Sequence, residues 1–184
     1  MAVFVSFLRG INVGGNKTIR MAALKAAYET LGLTGVKTLL NSGNVVFEAK
    51  EKNRAKLTKT LEDVIEKEFG FRPVVVVRSA AELAKILAKN PFPEMAKNDP
   101  SHLLVMTLVS KPKAGAKDRL AEVYSGPEEI EIAGEDVYLT YPKGIGVSKL
   151  TNTLLERHFG VAGTARNWNT LTKLIGLAEA TKES

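Results

Sequence analysis

The chain has 184 residues, 45% of them apolar and 25% charged, and it contains no cysteine. That length suits one compact domain or two small ones, and the balance is that of an ordinary globular protein, which excludes disorder, collagen and coiled coil. Without cysteine there is no disulfide, zinc–thiolate, iron–sulfur or thiol-nucleophile chemistry, and 26 Lys+Arg against 20 Asp+Glu leave a charge of +6 that favours acidic partners. Much of that charge alternates in sign. Lys50, Lys52, Lys56, Lys59 and Lys67 run among Glu51, Glu62, Glu66 and Glu68, the pattern of solvated helix faces.

The opening stretch lacks the basic start and small-residue cleavage site of a signal peptide. No run approaches the roughly 18 apolar residues of a membrane span. A cytoplasmic protein without a membrane partner is expected.

In chain order, Ala2 to Leu8 is apolar and reads as a strand. Arg9 to Lys17, with Gly10, Gly14 and Gly15, reads as a loop that feeds a helix near Thr18. Met21, Leu24, Tyr28 and Leu31 recur at helical spacing, and Gly32 ends that stripe. Val36 to Leu40 and Val45 to Glu48 are strands around Asn41-Ser42-Gly43-Asn44, which is hairpin chemistry. Asn53 to Phe69 is an amphipathic helix closed by Gly70, and Pro73 to Val77 a fourth strand. The order β-α-β-β-α-β is the ferredoxin-like unit.

Ser79 and Glu82 form a capping box for a helix to about Lys89. Asn90 to Ser101 carries three prolines and reads as a linker or irregular loop. A strand from Leu103 to Val109, a helix near Lys117 to Tyr124, a hairpin of Glu128–Ile132 with Val137–Tyr141, and a helix from Ser148 to His158 repeat the order β-α-β-β-α. An irregular bridge after Gly160 precedes a last helix from about Asn167 to Ala180. The fold class is therefore α+β, with a ferredoxin-like first half, a related second half and a C-terminal helix. The expected division is 1–78 and 79–184, with the last helix packing back; the same layout also suits one compact domain.

Ferredoxin-like topology places the end of the first strand beside the turn between strands two and three. That brings the Arg9–Gly15 loop next to Asn41–Asn44. Arg9 offers a guanidinium fork for phosphate or carboxylate. The backbone at Gly10 opens to a ligand, and Asn12, Ser42 and Asn44 add neutral hydrogen-bonding groups. The plain alternative is a glycine turn and an ordinary hairpin.

A second polar cluster is Thr164-Ala165-Arg166-Asn167-Trp168-Asn169-Thr170, in which Asn167 is a suitable N-cap and Trp168 suits a core. A third glycine-bearing approach to a helix runs from Pro142 to Lys149, with Ser148 as its cap.

The residues argue against several classes. Gly10 to Thr18 fails the phosphate-binding loop pattern because Asn16 intrudes before Lys17-Thr18. His102 and His158 are distant in sequence, and no metal-ligand or serine-hydrolase motif is present. Glu128, Glu129 and Glu131 read as solvated, so no metal, cofactor or catalytic group is assigned. The third strand, Asn44-Val45-Val46-Phe47-Glu48, lacks the exposed aromatics of an RNA-recognition fold.

Three segments, Leu8-Arg9-Gly10-Ile11-Asn12-Val13-Gly14-Gly15, Asn41-Ser42-Gly43-Asn44-Val45-Val46-Phe47 and Thr164–Thr170, resemble a bacterial family known as domain of unknown function 1697. The resemblance covers nearly the whole chain and implies an α+β fold with ferredoxin-like parts. It supplies no activity. Its motif positions are Arg9, Gly10, Asn12, Ser42, Gly43, Asn44, Arg166, Asn167, Trp168 and Asn169.

The reading that follows is a small anionic ligand (phosphate, nucleotide or carboxylate) held in a cleft. Arg9, Gly10, Asn12, Ser42, Asn44, Lys149, Arg166, Asn167 and Asn169 would line it, with Arg9 and Arg166 on its two flanks. The alternatives are a nucleic-acid-binding protein using a basic surface, and an interaction protein whose Arg/Asn cluster only stabilises the fold.

Overall fold

The structure is a computed structural model that describes residues 1–182. Its contacts divide the chain into two compact units. Unit 1 is residues 1–85 with the segment from Lys173 onward, and unit 2 is residues 86–172.

Unit 1 holds β1 (Ala2–Leu8), α1 (Met21–Glu29), β2 (Thr34–Leu39), β3 (Asn44–Ala49), α2 (Arg54–Phe69) and β4 (Val75–Ser79). The sheet order is β2-β3-β1-β4, every neighbour antiparallel. Period-two alternation sends Phe4, Leu8, Val45, Phe47, Val75 and Val77 toward the helices, where they pack with Leu24, Tyr28, Leu61 and Ile65. Helix α1 begins at Met21, later than Thr18, because Asn12 through Ile19 is occupied by a small turn described below. Helix α2 starts where Asn53 accepts the Lys56 N–H (3.2 Å) and stops at left-handed Gly70. Arg72 bonds Glu62, Asp63 and Glu66 along its exposed side.

The residues on the other sheet face, Val3, Val5, Phe7, Val46 and Val76, are equally buried. An RNA-recognition sheet leaves such a face open for stacking bases; here it is closed.

Helix α3 (Ala80–Ala88) follows β4 without a loop. Its capping box is complete: the Glu82 N–H donates to Ser79 Oγ (3.1 Å) and the Ser79 N–H to the Glu82 carboxylate (2.7 Å). The proline-bearing stretch after it is ordered, containing α4 (Pro93–Asn98) and a 3-10 turn at Pro100–His102, where a loop was expected. Pro93 stands in the first turn of α4, the position that tolerates its missing N–H.

Unit 2 continues with β5 (Leu103–Leu108), α5 (Ala116–Val123), β6 (Ile130–Ala133), β7 (Asp136–Thr140), α6 (Asn152–Phe159), β8 (Gly163–Asn167) and the start of α7 (Trp168–Lys182). The sheet order is β6-β7-β5-β8. Strand β8 replaces the expected irregular bridge and completes a second β-α-β-β-α-β.

The two halves match in register as well as in order. Val5 pairs with Arg78 in the first sheet, and Val105 with Arg166 in the second. Phe4 pairs with Ser79, and Leu104 with Asn167. Ser79 and Asn167 each cap the helix that follows directly. The fold is two four-stranded antiparallel sheets with helices between their strands, consistent with a duplicated ferredoxin-like arrangement.

Candidate functional site

Strand β1 ends where three backbone segments meet. The Leu8 N–H donates to the Gly43 carbonyl and the Arg9 N–H to the Val74 carbonyl, both at 2.9 Å. The following loop is a miniature hairpin. Val13 bridges Asn16 around Gly14 and Gly15, whose φ values of +63° and +76° supply the doubly left-handed turn that such a tight reversal needs. Its tip is exposed, with Val13 at 68% and Gly10, Lys17 and Thr18 open to solvent.

Asn12 holds the base of this hairpin. Its side-chain amide donates to the Ile19 carbonyl (3.0 Å) and the Asn41 carbonyl (2.6 Å), and its oxygen accepts the Ile19 N–H (2.8 Å). Asn12 also adopts φ +55°, which asparagine tolerates better than most residues. Asn12 therefore clamps the loop to the β2–β3 turn. Asn12→Ala removes three hydrogen bonds and should lower the unfolding free energy by about 2–3 kcal/mol. Urea denaturation checks this, and a cost under about 0.5 kcal/mol would contradict it.

Asn44 is buried, and its amide donates to the Leu39 carbonyl (2.8 Å) and to Ser42 Oγ (3.0 Å). Ser42 and Arg9 are half-buried and Gly10 is exposed. So Asn12 and Asn44 build the turn-loop junction, while Arg9, Gly10 and Ser42 stand at its surface.

The electrostatics of this edge are one-sided. Residues 1–47 contain Arg9, Lys17, Arg20, Lys25 and Lys37 but a single carboxylate, Glu29. That carboxylate lies 3.8 Å from the Lys25 ammonium. Arg20 stands at the N-cap of helix α1 without a side-chain cap bond, and the first turn has no acidic residue. Unit 1 as a whole carries 16 Lys+Arg against 10 Asp+Glu, whereas unit 2 has ten of each. The net charge of the chain thus belongs to unit 1.

In unit 2, Arg166 is half-buried on β8. Its guanidinium donates to Thr164 Oγ1 (2.6 Å) and the Ala165 carbonyl (2.9 Å). Loss of hydration pushes its pKa down to about 10. Asn167 Oδ1 accepts the Thr170 N–H (2.9 Å), the N-cap bond expected of it, while Asn169 is exposed on the first turn of α7.

Ser148 does not cap α6. Thr151 does, accepting the Leu154 N–H (3.2 Å). Ser148 Oγ instead donates to Glu128 and accepts the Leu150 N–H (3.0 Å), and Lys149 beyond it is exposed. The Tyr124 hydroxyl donates to the same Glu128 carboxylate. Glu128 therefore precedes β6 in a half-buried cluster, rather than lying solvated along a strand. Burial pulls its carboxyl upward, but the Ser148 and Tyr124 hydroxyls outweigh that and hold it below the usual range. No spacing in the sequence signals this cluster, since its members are separated by loops.

Among the described residues no group of three His, Asp or Glu side chains is placed to hold a metal ion. Also among them, no helix is long and apolar enough to cross a membrane.

A chain of two ferredoxin-like units, each running its fourth strand straight into a helix, is the architectural class defined so far. The model of a protein family of unknown function, DUF1697, matches residues 1–138, and the chain belongs to that family. The matched span contains the Arg9 loop and the Asn41–Asn44 turn; Thr164–Thr170 lies beyond it. The chain is also similar to the solved structure of the conserved bacterial protein SP0830 from Streptococcus pneumoniae. The two are 20% identical at a TM-score of 0.73, over 96% of this chain and 98% of that one. None of the curated proteins matches.

Proposed function

We propose that the protein binds a small anionic ligand, a phosphate, nucleotide or carboxylate, at the Arg9–Lys17 edge of unit 1, in the cytoplasm. The observation that carries this reading is the charge imbalance of that edge. Residues 1–47, which build that edge, carry five cations and one carboxylate, and that carboxylate lies beside Lys25. Arg9 supplies the fork, Lys17 and Arg20 the flanking charge, and Gly10 and Ser42 close polar contacts.

Thermal unfolding against phosphate, nucleotides, sugar phosphates, carboxylic acids and a short single-stranded oligonucleotide tests it. A ligand at about 100 times its Kd stabilises by about 2.7 kcal/mol, which is roughly 5–10 °C for a chain of this size. The expected result is a shift with one small anion that is lost in Arg9→Ala and in the surface variant Lys17→Glu/Arg20→Glu. The same ligand measured on Arg166→Ala tells whether the second motif contributes. A shift confined to the oligonucleotide, falling steeply with salt, would replace this reading by nucleic-acid binding. No shift with any anion would overturn it and leave the Asn clamps as fold-stabilising only.

A further inference from the structure

We propose that unit 1 carries a second, separate site, a groove that takes a single-chain aliphatic carboxylate of about eight to twelve carbons. The groove lies between α2, the end of β3 and the α1–β2 turn, and encloses about 470 Å³. That volume falls within the usual range for small-molecule pockets. Its floor is Leu31, Leu33, Ala49, Leu57 and Leu61. These side chains are aliphatic throughout, without an aromatic ring or a buried polar atom to orient a flat or sugar-like ligand.

The rim is cationic. Lys50, Lys56 and Lys59 border the groove, with Glu51 as the one acid among its lining residues. Lys56 lies 3.6 Å from Glu51, and Lys59 bonds Asp63 at 2.7 Å. Glu51 stays ionised because the Asn53 N–H and the nearby Lys56 hold its pKa below the ordinary value. Lys56 is balanced by Glu51 and Lys59 by Asp63, so the excess positive charge at the mouth is that of Lys50, which stands exposed at the end of β3. An apolar tail on the leucines with its anionic head at Lys50 satisfies both features at once. A lysine stem can also lie along the tail while its ammonium stays in water.

Titration with decanoate below its micellar range, followed by backbone amide NMR, tests the site. Saturable shifts are expected at residues 31–33 and 50–61. Affinity should rise about two- to fourfold per added methylene from octanoate to dodecanoate. Decyltrimethylammonium has the same tail and the opposite head, and should bind at least tenfold more weakly. Lys50→Glu should cost about three- to tenfold in decanoate affinity. Thr60→Trp, at an exposed helical position on the groove wall, should abolish binding without disturbing the core. Arg9→Ala should leave decanoate binding unchanged, so loss of the anion site and loss of this one are distinguishable. Equal binding of the cationic amphiphile, non-saturable shifts, or decanoate binding that survives Thr60→Trp would each overturn the proposal.

Discussion

Alkaline titration should unfold this protein cooperatively between about pH 11 and 12, with tyrosinate appearing only as the fold is lost. The chain has four tyrosines, and each is engaged by its hydroxyl. Tyr28 shares a 2.9 Å bond with Ser6, Tyr138 donates to the Ile86 carbonyl (2.6 Å), Tyr141 to the Leu150 carbonyl (3.0 Å), and Tyr124 to Glu128. Burial raises the pKa of all four, and it pushes Tyr138 up to about 12, with Asp136 adding to the effect. An unfolded tyrosine ionises near pH 10. Above that, the unfolded chain holds fewer protons than the folded one, so stability falls as pH rises. The contribution is intact below about pH 10 and is lost as pH climbs through the folded values. Each tyrosine costs about 1.4 kcal/mol per pH unit in that window, so Tyr138 alone removes about 2 kcal/mol by pH 12. With Tyr28 and Tyr141 the slope reaches about 4 kcal/mol per pH unit, against a total stability of about 5–15 kcal/mol. Tyrosinate absorbance and near-ultraviolet circular dichroism should change together in one steep step. A gradual titration near pH 10 with the fold retained would show that the hydroxyls are open to solvent.

Most of the fold was legible because its signals are local. The Ser79–Glu82 box, the Asn53 and Asn167 caps and the Asn41–Gly43 turn are each formed by residues within five positions of one another. The fourth strands were harder for a common reason. Arg78 and Arg166 occupy equivalent register positions opposite Val5 and Val105. A charged residue on a buried sheet face breaks the apolar alternation that marks a strand. The pattern therefore stops at Val77, although β4 runs to Ser79, and it misses β8 altogether. Arg78 is 2% exposed, yet nothing local in Val77-Arg78-Ser79 distinguishes it from a solvated arginine.

The candidate site divides along the same line. Topology alone brings the Arg9 loop to the β2–β3 turn, and the bonds from Leu8 to Gly43 and from Asn12 to Asn41 realise that approach. The role of Asn12 was not legible. Asn12 bonds partners 7 and 29 residues away, so its clamp depends on the assembled fold. Asparagine in a loop reads equally as a ligand donor or as a backbone clamp, and here its three hydrogen bonds make it a clamp. That leaves arginine, lysine, backbone and Ser42 as the groups to meet a ligand.

Replacing Gly43 by alanine should destabilise the protein by about 2–5 kcal/mol. Gly43 has φ +81°, and a Cβ added there would lie 2.7 Å from Leu8 Cβ and 2.8 Å from Ile11 Cδ1. A left-handed alanine costs about 1–2 kcal/mol. Forcing apart two buried side chains adds about 1–3 kcal/mol. Gly134 provides the control. Its φ is +67°, in the turn between β6 and β7, and nothing lies within 4 Å of a Cβ placed there. Gly134→Ala should therefore cost only the conformational part, about 1–2 kcal/mol. The difference between the two urea midpoints, at unchanged slope, measures the close packing of the turn against Leu8 and Ile11. Equal midpoints would mean the turn is not wedged there. Ile11 sits between Arg9 and Asn12, so displacing it shifts the loop that carries the cations. Gly43→Ala should consequently weaken any anion response of the folded protein, while Gly134→Ala leaves it intact. This couples a packing measurement to the loop that carries Arg9 and Lys17.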